Sequence, residues 1–117
     1  MMDVVVTVPK DRWGEWLAEG DLAGQRGPGE EYGFYIGGRR PAIQAGERVY
    51  IVAHGRLRGH APLVHQDWWD MASGALIRKG GAVAVTIPGP VRGFRGWRYR
   101  WWPREDEIPF PDWQVVV

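Results

Sequence analysis

Few stretches of this chain run far without a glycine or a proline: 17 Gly and 9 Pro fall among its 117 residues. Relative to alanine, glycine costs a helix interior about 1 kcal/mol and proline about 3 kcal/mol. Long helices are therefore disfavoured, and short segments joined by turns remain. The segments themselves favour strands. Residues 4–8, Val-Val-Val-Thr-Val, are β-branched and stop at Pro9, which reads as a first strand. One short helix follows, with Asp11 as the predicted N-cap and Trp13, Trp16 and Leu17 as an i, i+3, i+4 apolar stripe. Gly20 is its predicted stop, and residues 21–31 read as a Gly-rich charged loop.

Further strands are predicted over 32–36, 48–54, 56–65 and 82–87, with a short extended piece at 75–77. Gly37 to Pro41 and His54-Gly55 read as turns, and 66–74 as a loop carrying Trp68 and Trp69. Over 82–87, Val83, Val85 and Ile87 are expected inward, with Ala82, Ala84 and Thr86 outward. Pro88-Gly89-Pro90 breaks that strand. Residues 91–102 read as a last long strand and 104–113 as an extended, Pro-rich tail. The fold class expected is mostly β (α+β): about six strands in a small barrel, with one helix after the first strand covering an end. The whole span, 1–117, has the length of one domain, and a domain of this size buries about two-thirds of its unfolded surface.

The chain has no cysteine, which removes disulfides, thiolate catalysis and Cys-ligated metal centres. Its first residues carry no basic run, and the apolar run at 4–8 is too short for a signal core or a membrane span. A cytoplasmic protein without membrane contact is expected. Thr7, Ser73 and Thr86 are the only hydroxyl residues of the Ser/Thr type, so few nucleophiles are on offer. His54, His60 and His65 lack a metal-ligand spacing, and no cofactor fingerprint is present. Asp67 and Asp70 flank two tryptophans, where burial against rings raises a carboxyl pKa; a loop merely anchored by its indoles has the same pattern.

Net charge is +1, so bulk charge argues for no partner, but 13 of the 15 basic residues are Arg. A GC-rich genome produces the same bias. The planar guanidinium also pairs with phosphate and stacks on rings. The densest stretch is Val91-Arg92-Gly93-Phe94-Arg95-Gly96-Trp97-Arg98-Tyr99-Arg100-Trp101-Trp102-Pro103-Arg104, with five Arg and no acid. On a continuous strand Trp97, Tyr99 and Trp101 share one face, expected to be core. Phe94, Arg98, Arg100 and Trp102 share the other, an exposed ladder of guanidiniums and rings. Such a ladder suits phosphates and stacked bases, at about 1–3 kcal/mol per stack. It equally suits a self-contained cation–π cluster at about 0.5–2 kcal/mol per contact. Arg56, Arg58 and His60 share a second face, with Arg39 and Arg40 nearby in sequence. The candidate nucleic-acid-binding residues are thus Arg39, Arg40, Arg56, Arg58, Arg95, Arg98 and Arg100. The candidate base-stacking residues are Trp16, Trp68, Trp69 and Trp102.

The stretch Ile43-Gln44-Ala45-Gly46-Glu47-Arg48-Val49-Tyr50-Ile51-Val52-Ala53-His54-Gly55-Arg56-Leu57-Arg58-Gly59-His60-Ala61 resembles the PUA-like superfamily, which includes the ASCH and EVE domains. The first strand, the helix ending at Gly20 and the strand before Pro88 resemble other parts of that family's pattern. The resemblance implies a pseudobarrel with a cleft between barrel and helix that binds RNA or DNA carrying a modified base. A hydrolase subgroup of the ASCH proteins carries a Gly-x-Lys-Thr-type motif after the first helix. The matching stretch here, Gly20-Asp21-Leu22-Ala23-Gly24-Gln25, lacks both the Lys and the Thr, so that catalytic assignment is not carried over.

Three functions are therefore expected in turn. The first is a module binding RNA, modified DNA or a nucleoside, with no membrane partner. The second is a hydrolase acting on a modified nucleoside or RNA, which requires Lys10 and Thr7 to converge with Asp67, Asp70 or Glu47. The third is a protein-interaction module, motivated by eight Trp in so short a chain, for which an exposed cluster of Trp101, Trp102 and Trp113 would be the sign. Oligomeric state is not fixed by any of these features.

Overall fold

A computed structural model describes residues 2–19 and 31–116. The chain is mostly β, with one helix after the first strand, as the residue pattern predicts. Strand β1 (Val4–Thr7) is followed by a 3-10 turn (Lys10–Arg12) and helix α1 (Trp13–Glu19). Then come β2 (Tyr32–Gly37), β3 (Arg48–Ala53), β4 (Arg56–Trp68), β5 (Ser73–Arg78), β6 (Val85–Thr86), β7 (Trp97–Tyr99) and β8 (Ile108–Pro109). Asp11 lies inside the 3-10 turn instead of capping α1, and the residue preceding that turn, Pro9, makes no side-chain cap. The predicted stop at Gly20 and loop at 21–31 fall outside the described residues, save Glu31.

Six strands form one curled sheet in the order β2-β5-β4-β3-β1-β7, and β6 and β8 form a separate ribbon. β1 and β3 are parallel, with Val5 opposite Tyr50, which obliges the chain to cross over between them. The crossover carries α1 and β2. The remaining neighbours are antiparallel.

The centre of the sheet is buried on both faces. Val4, Val6, Val49, Ile51 and Ala53 pack with Trp13, Leu63 and Leu76 in one cluster. Val5, Tyr50, Val52 and Leu57 pack with Ile87, Val91 and Trp102 in the other. α1 supplies the first cover, and the chain beyond residue 85 supplies the second. β4 bends at a register shift opposite Ile51/Val52. Gly59 makes the bend possible: its φ is +144°, and a Cβ there would lie 2.4 Å from the Val83 carbonyl oxygen. The single bridge His60–Val83 forms at that close approach.

Several expectations are corrected. β4 continues through Trp68, where a loop was predicted, because residues 65–68 find partners on β5. The predicted strand 82–87 pairs only at 85–86, apart from the Val83 bridge; Val83 is exposed and Thr86 is buried, the reverse of the expected faces. The predicted strand 91–102 reduces to Trp97–Tyr99, since Gly96 takes φ +74° and β1 offers partners only at Val4–Val6.

Candidate nucleic-acid interface

β7 is one edge of the sheet and β2 is the other, yet side chains bring the two edges together. The turn after β2, where Gly38 has φ +82°, carries Arg39 back toward β7. There the Trp97 indole Nε1 donates to the Arg39 carbonyl oxygen at 2.6 Å. The Ala42 amide donates to the Tyr99 hydroxyl at 2.9 Å. The Arg39 guanidinium lies over the Trp97 ring at 5.4 Å, and Trp97 and Tyr99 meet edge to face at 4.7 Å.

A shallow groove results, lined by Arg39, Arg95, Arg98, Trp97 and Tyr99, with no acidic side chain among the described residues. Arg39, Arg40, Arg95 and Arg98 are exposed, and Arg98 lies over Phe94 at 4.4 Å. Among the described residues none of these four guanidiniums forms an ion pair. Their charges are therefore open to water and to an anion arriving along β7.

The other candidate arginines sit elsewhere. Arg58 is buried, correcting its assignment to an outward face. Its guanidinium donates to the carbonyl oxygens of Ala53 at 2.6 Å, Trp113 and Val115, and lies over Trp13 and Phe110. Burial, and then the Arg56 charge, push its pKa down. Arg56 lies over Phe110 at 5.0 Å and donates to the Thr86 hydroxyl at 3.3 Å. Arg100 is held by Asp3 at 3.1 Å and by the Trp102 carbonyl oxygen. These three tie the chain ends to the sheet and do not extend the groove.

The stacking candidates divide as well. Trp102 is 5% exposed, its indole donating to Glu107 at 2.9 Å, so it is core, and Trp101 is the exposed one. The predicted faces at 101 and 102 are thus exchanged, because the chain leaves the sheet after Tyr99. The cluster of Trp101, Trp102 and Trp113 expected of an interaction module does not form an exposed patch. Trp68 is half-buried against Gly74, donating to Gln66 at 2.9 Å. Trp69 is 59% exposed and meets Tyr35 edge to face.

Trp16 packs on Phe34 beside a cleft between α1 and β2, the position expected for the ligand from the PUA-like resemblance. That cleft carries Glu15 and Glu19 as well as Arg12, which itself pairs with Glu15 at 3.7 Å. Among the described residues it offers rings but no excess of positive charge. A cavity of about 20 Å³ beneath Trp13 and Trp16, lined also by Arg58, His60 and Arg78, has room for a single water and not a base.

The convergence required of a hydrolase is not met. The Thr7 hydroxyl accepts from the Phe94 amide at 3.2 Å, Glu47 receives the Met2 and Gln44 amides, and Asp67 and Asp70 lie at the far end of β4. Among the described residues no group of three or more His, Cys, Asp or Glu is placed to hold a metal, and no helix is long and apolar enough to cross a membrane.

Trp97 and Tyr99, read as core from alternation, are partly buried: they pack against the core on one side and line the groove on the other. The signal available in the sequence was Gly96 immediately before Trp97, a residue free to take the left-handed conformation that interrupts a strand there. No protein-family model, no curated protein and no solved structure matches the chain.

Proposed function

We propose that this domain binds a nucleic-acid strand, RNA or DNA carrying a modified base, along the β7 edge. The observation that carries the reading is the gathering of three exposed guanidiniums, Arg39, Arg95 and Arg98, around the Trp97–Tyr99 pair, with no acidic partner among the described residues. Guanidiniums neutralise phosphates, while rings and guanidinium planes accept stacked bases. The open groove favours a single strand or a splayed base over a duplex, whose bases are already stacked. A PUA-like identity belongs to the same proposal; the helix after β1 and the curled sheet support it.

The test is a fluorescence titration with plain and base-modified RNA and DNA oligonucleotides at two salt concentrations. Phosphate contacts release counterions, so the log–log salt slope for a single strand steepens by about 0.7 per contact. Arg95→Gln with Arg98→Gln is expected to weaken binding and flatten that slope by about 1.4. Binding that ignores salt, or no binding to any oligonucleotide, would remove the reading.

A second reading, a protein contact, has its own observation. Tyr35, Trp69 and Met71 are 78%, 59% and 96% exposed near the β4–β5 hairpin. Sedimentation of the chain beside a Tyr35→Ser, Trp69→Ser variant separates the two readings, since that patch shares no residue with the groove.

A further inference from the structure

The segment that lines the groove continues into a second basic site. Arg92, Arg95 and Arg98 are all exposed and recur at every third residue. At the Arg92 end the chain is fixed from both sides. The Val91 amide donates to the Gly55 carbonyl oxygen at 2.8 Å, and the Phe94 amide donates to Thr7. Gly93 lies against Thr7, whose methyl would be 3.0 Å from a Cβ at that position. This close approach seats Arg92 beside the tight turn His54-Gly55, where φ is +48° and +72°. Lys10 comes from the 3-10 turn beyond β1.

Lys10, His54, Arg58 and Arg92 line one pocket with Val116, and among the described residues no acidic side chain lines it. The His54 pKa is pushed down by partial burial and then by the Arg58 and Lys10 charges, as expected where cations converge. Among the described residues neither Lys10 nor Arg92 has an ion-pair partner.

The charge at this pocket differs from the charge along the groove. A diester phosphate carries one negative charge, which a single guanidinium such as Arg95 or Arg98 can match. A terminal phosphomonoester carries about −1.5 to −2 at neutral pH and offers three acceptor oxygens. Lys10 and Arg92, backed by the buried Arg58, match the second kind of group. Accepting the groove as a strand-binding surface, we propose that the Lys10–His54–Arg92 pocket captures the terminal phosphate of that strand. Arg92, Arg95 and Arg98 then form one phosphate track, with the bases toward Trp97 and Tyr99 and the strand end at Lys10.

The test uses the full chain and one oligonucleotide sequence in three forms: 5′-phosphorylated, 3′-phosphorylated, and hydroxyl at both ends. A phosphate at one of the two ends is expected to tighten binding about tenfold, the scale of one or two added charge-assisted contacts. Which end responds gives the polarity of the strand. The variant Lys10→Gln with Arg92→Gln is expected to abolish that gain, so that the phosphorylated and hydroxyl-ended forms bind it alike, whatever Arg92 itself adds to holding the strand. Both side chains are exposed, so the variant's melting temperature checks that the fold is kept. Arg95→Gln with Arg98→Gln is expected to weaken all three forms alike. Equal affinity for the three forms, or a gain that survives in the Lys10/Arg92 variant, overturns the terminal-phosphate site and leaves the groove reading standing. Failure of every form to bind overturns both.

Discussion

The indole of Trp97, on one edge strand of the sheet, donates a 2.6 Å hydrogen bond to the carbonyl oxygen of Arg39, in the turn that leaves the opposite edge strand. The two edges are thus joined by side chains where no strand pairing joins them. The same contact sets the floor of the groove, so fold closure and ligand surface share a residue.

Trp97→Phe keeps a ring and removes the donor, and is expected to cost about 1 kcal/mol, the net value of one hydrogen bond. Trp97→Ala removes the ring as well and is expected to cost about 3 kcal/mol, the low end for a large aromatic because the ring is only partly buried. Urea unfolding checks both. Oligonucleotide binding should survive in the Phe variant and fail in the Ala variant; equal loss in both would place the hydrogen bond, not the ring, at the centre of recognition.

Strands 4–7 and 48–53 were legible because their signals are local: β-branched runs ended by Pro9 or by His54-Gly55. What was not legible depends on pairing. Alternation along 56–65 put Arg58 and His60 on an outward face, but both are buried here, Arg58 against Trp13 and Phe110 and His60 against the Tyr50 ring. A sequence period reports which residues share a face and is silent on whether the second face meets water. Likewise the Arg-rich stretch announced a basic surface, while its division into a groove at Arg95 and Arg98, a pocket at Arg92 and two internal anchors at Arg100 and Arg104 came from where β7 stops.

Asp3 holds both of those anchors. Its buried carboxylate takes the Arg48 amide at 2.9 Å, Arg100 at 3.1 Å and Arg104 at 2.9 Å. Burial alone would raise its pKa, but the Arg48 amide and the two guanidiniums outweigh it and hold the pKa below the ordinary carboxyl value. Asp3→Asn is expected to destabilise the chain by about 3 kcal/mol, the low end for breaking a buried ion pair, because Arg100 and Arg104 keep partial access to water. A chemical-denaturation midpoint unchanged by Asp3→Asn would show that the cluster is dispensable. A depressed carboxyl contributes stability above its unfolded value, near 3.9, and loses it as pH falls through the lower folded value. Asp3 therefore governs the most acidic limb of the stability curve.

His60 governs the next limb. It is buried against Tyr50 at 5.1 Å between ring centroids, and burial, with the Arg48 charge, pushes its pKa down to about 4 from the ordinary 6.5. The other charges acting on it are Arg78 and Arg104, which lower the pKa further, and Glu107, which opposes them. Between pH 4 and 6.5 the unfolded chain binds a proton at this position that the folded chain does not. Stability is therefore expected to be full above pH 6.5 and to decline toward pH 4, by about 3 kcal/mol in all at about 1.4 kcal/mol per unit. Urea unfolding at pH 7.5, 5.5 and 4.5 traces the decline. Asp3 contributes little across that range, since its carboxyl is ionised in both states over most of it. His60→Gln keeps a polar side chain without the titration and is expected to flatten the curve between pH 4.5 and 6.5, even if the variant is less stable at every pH. A slope that persists unchanged in His60→Gln would assign the acid sensitivity to another group.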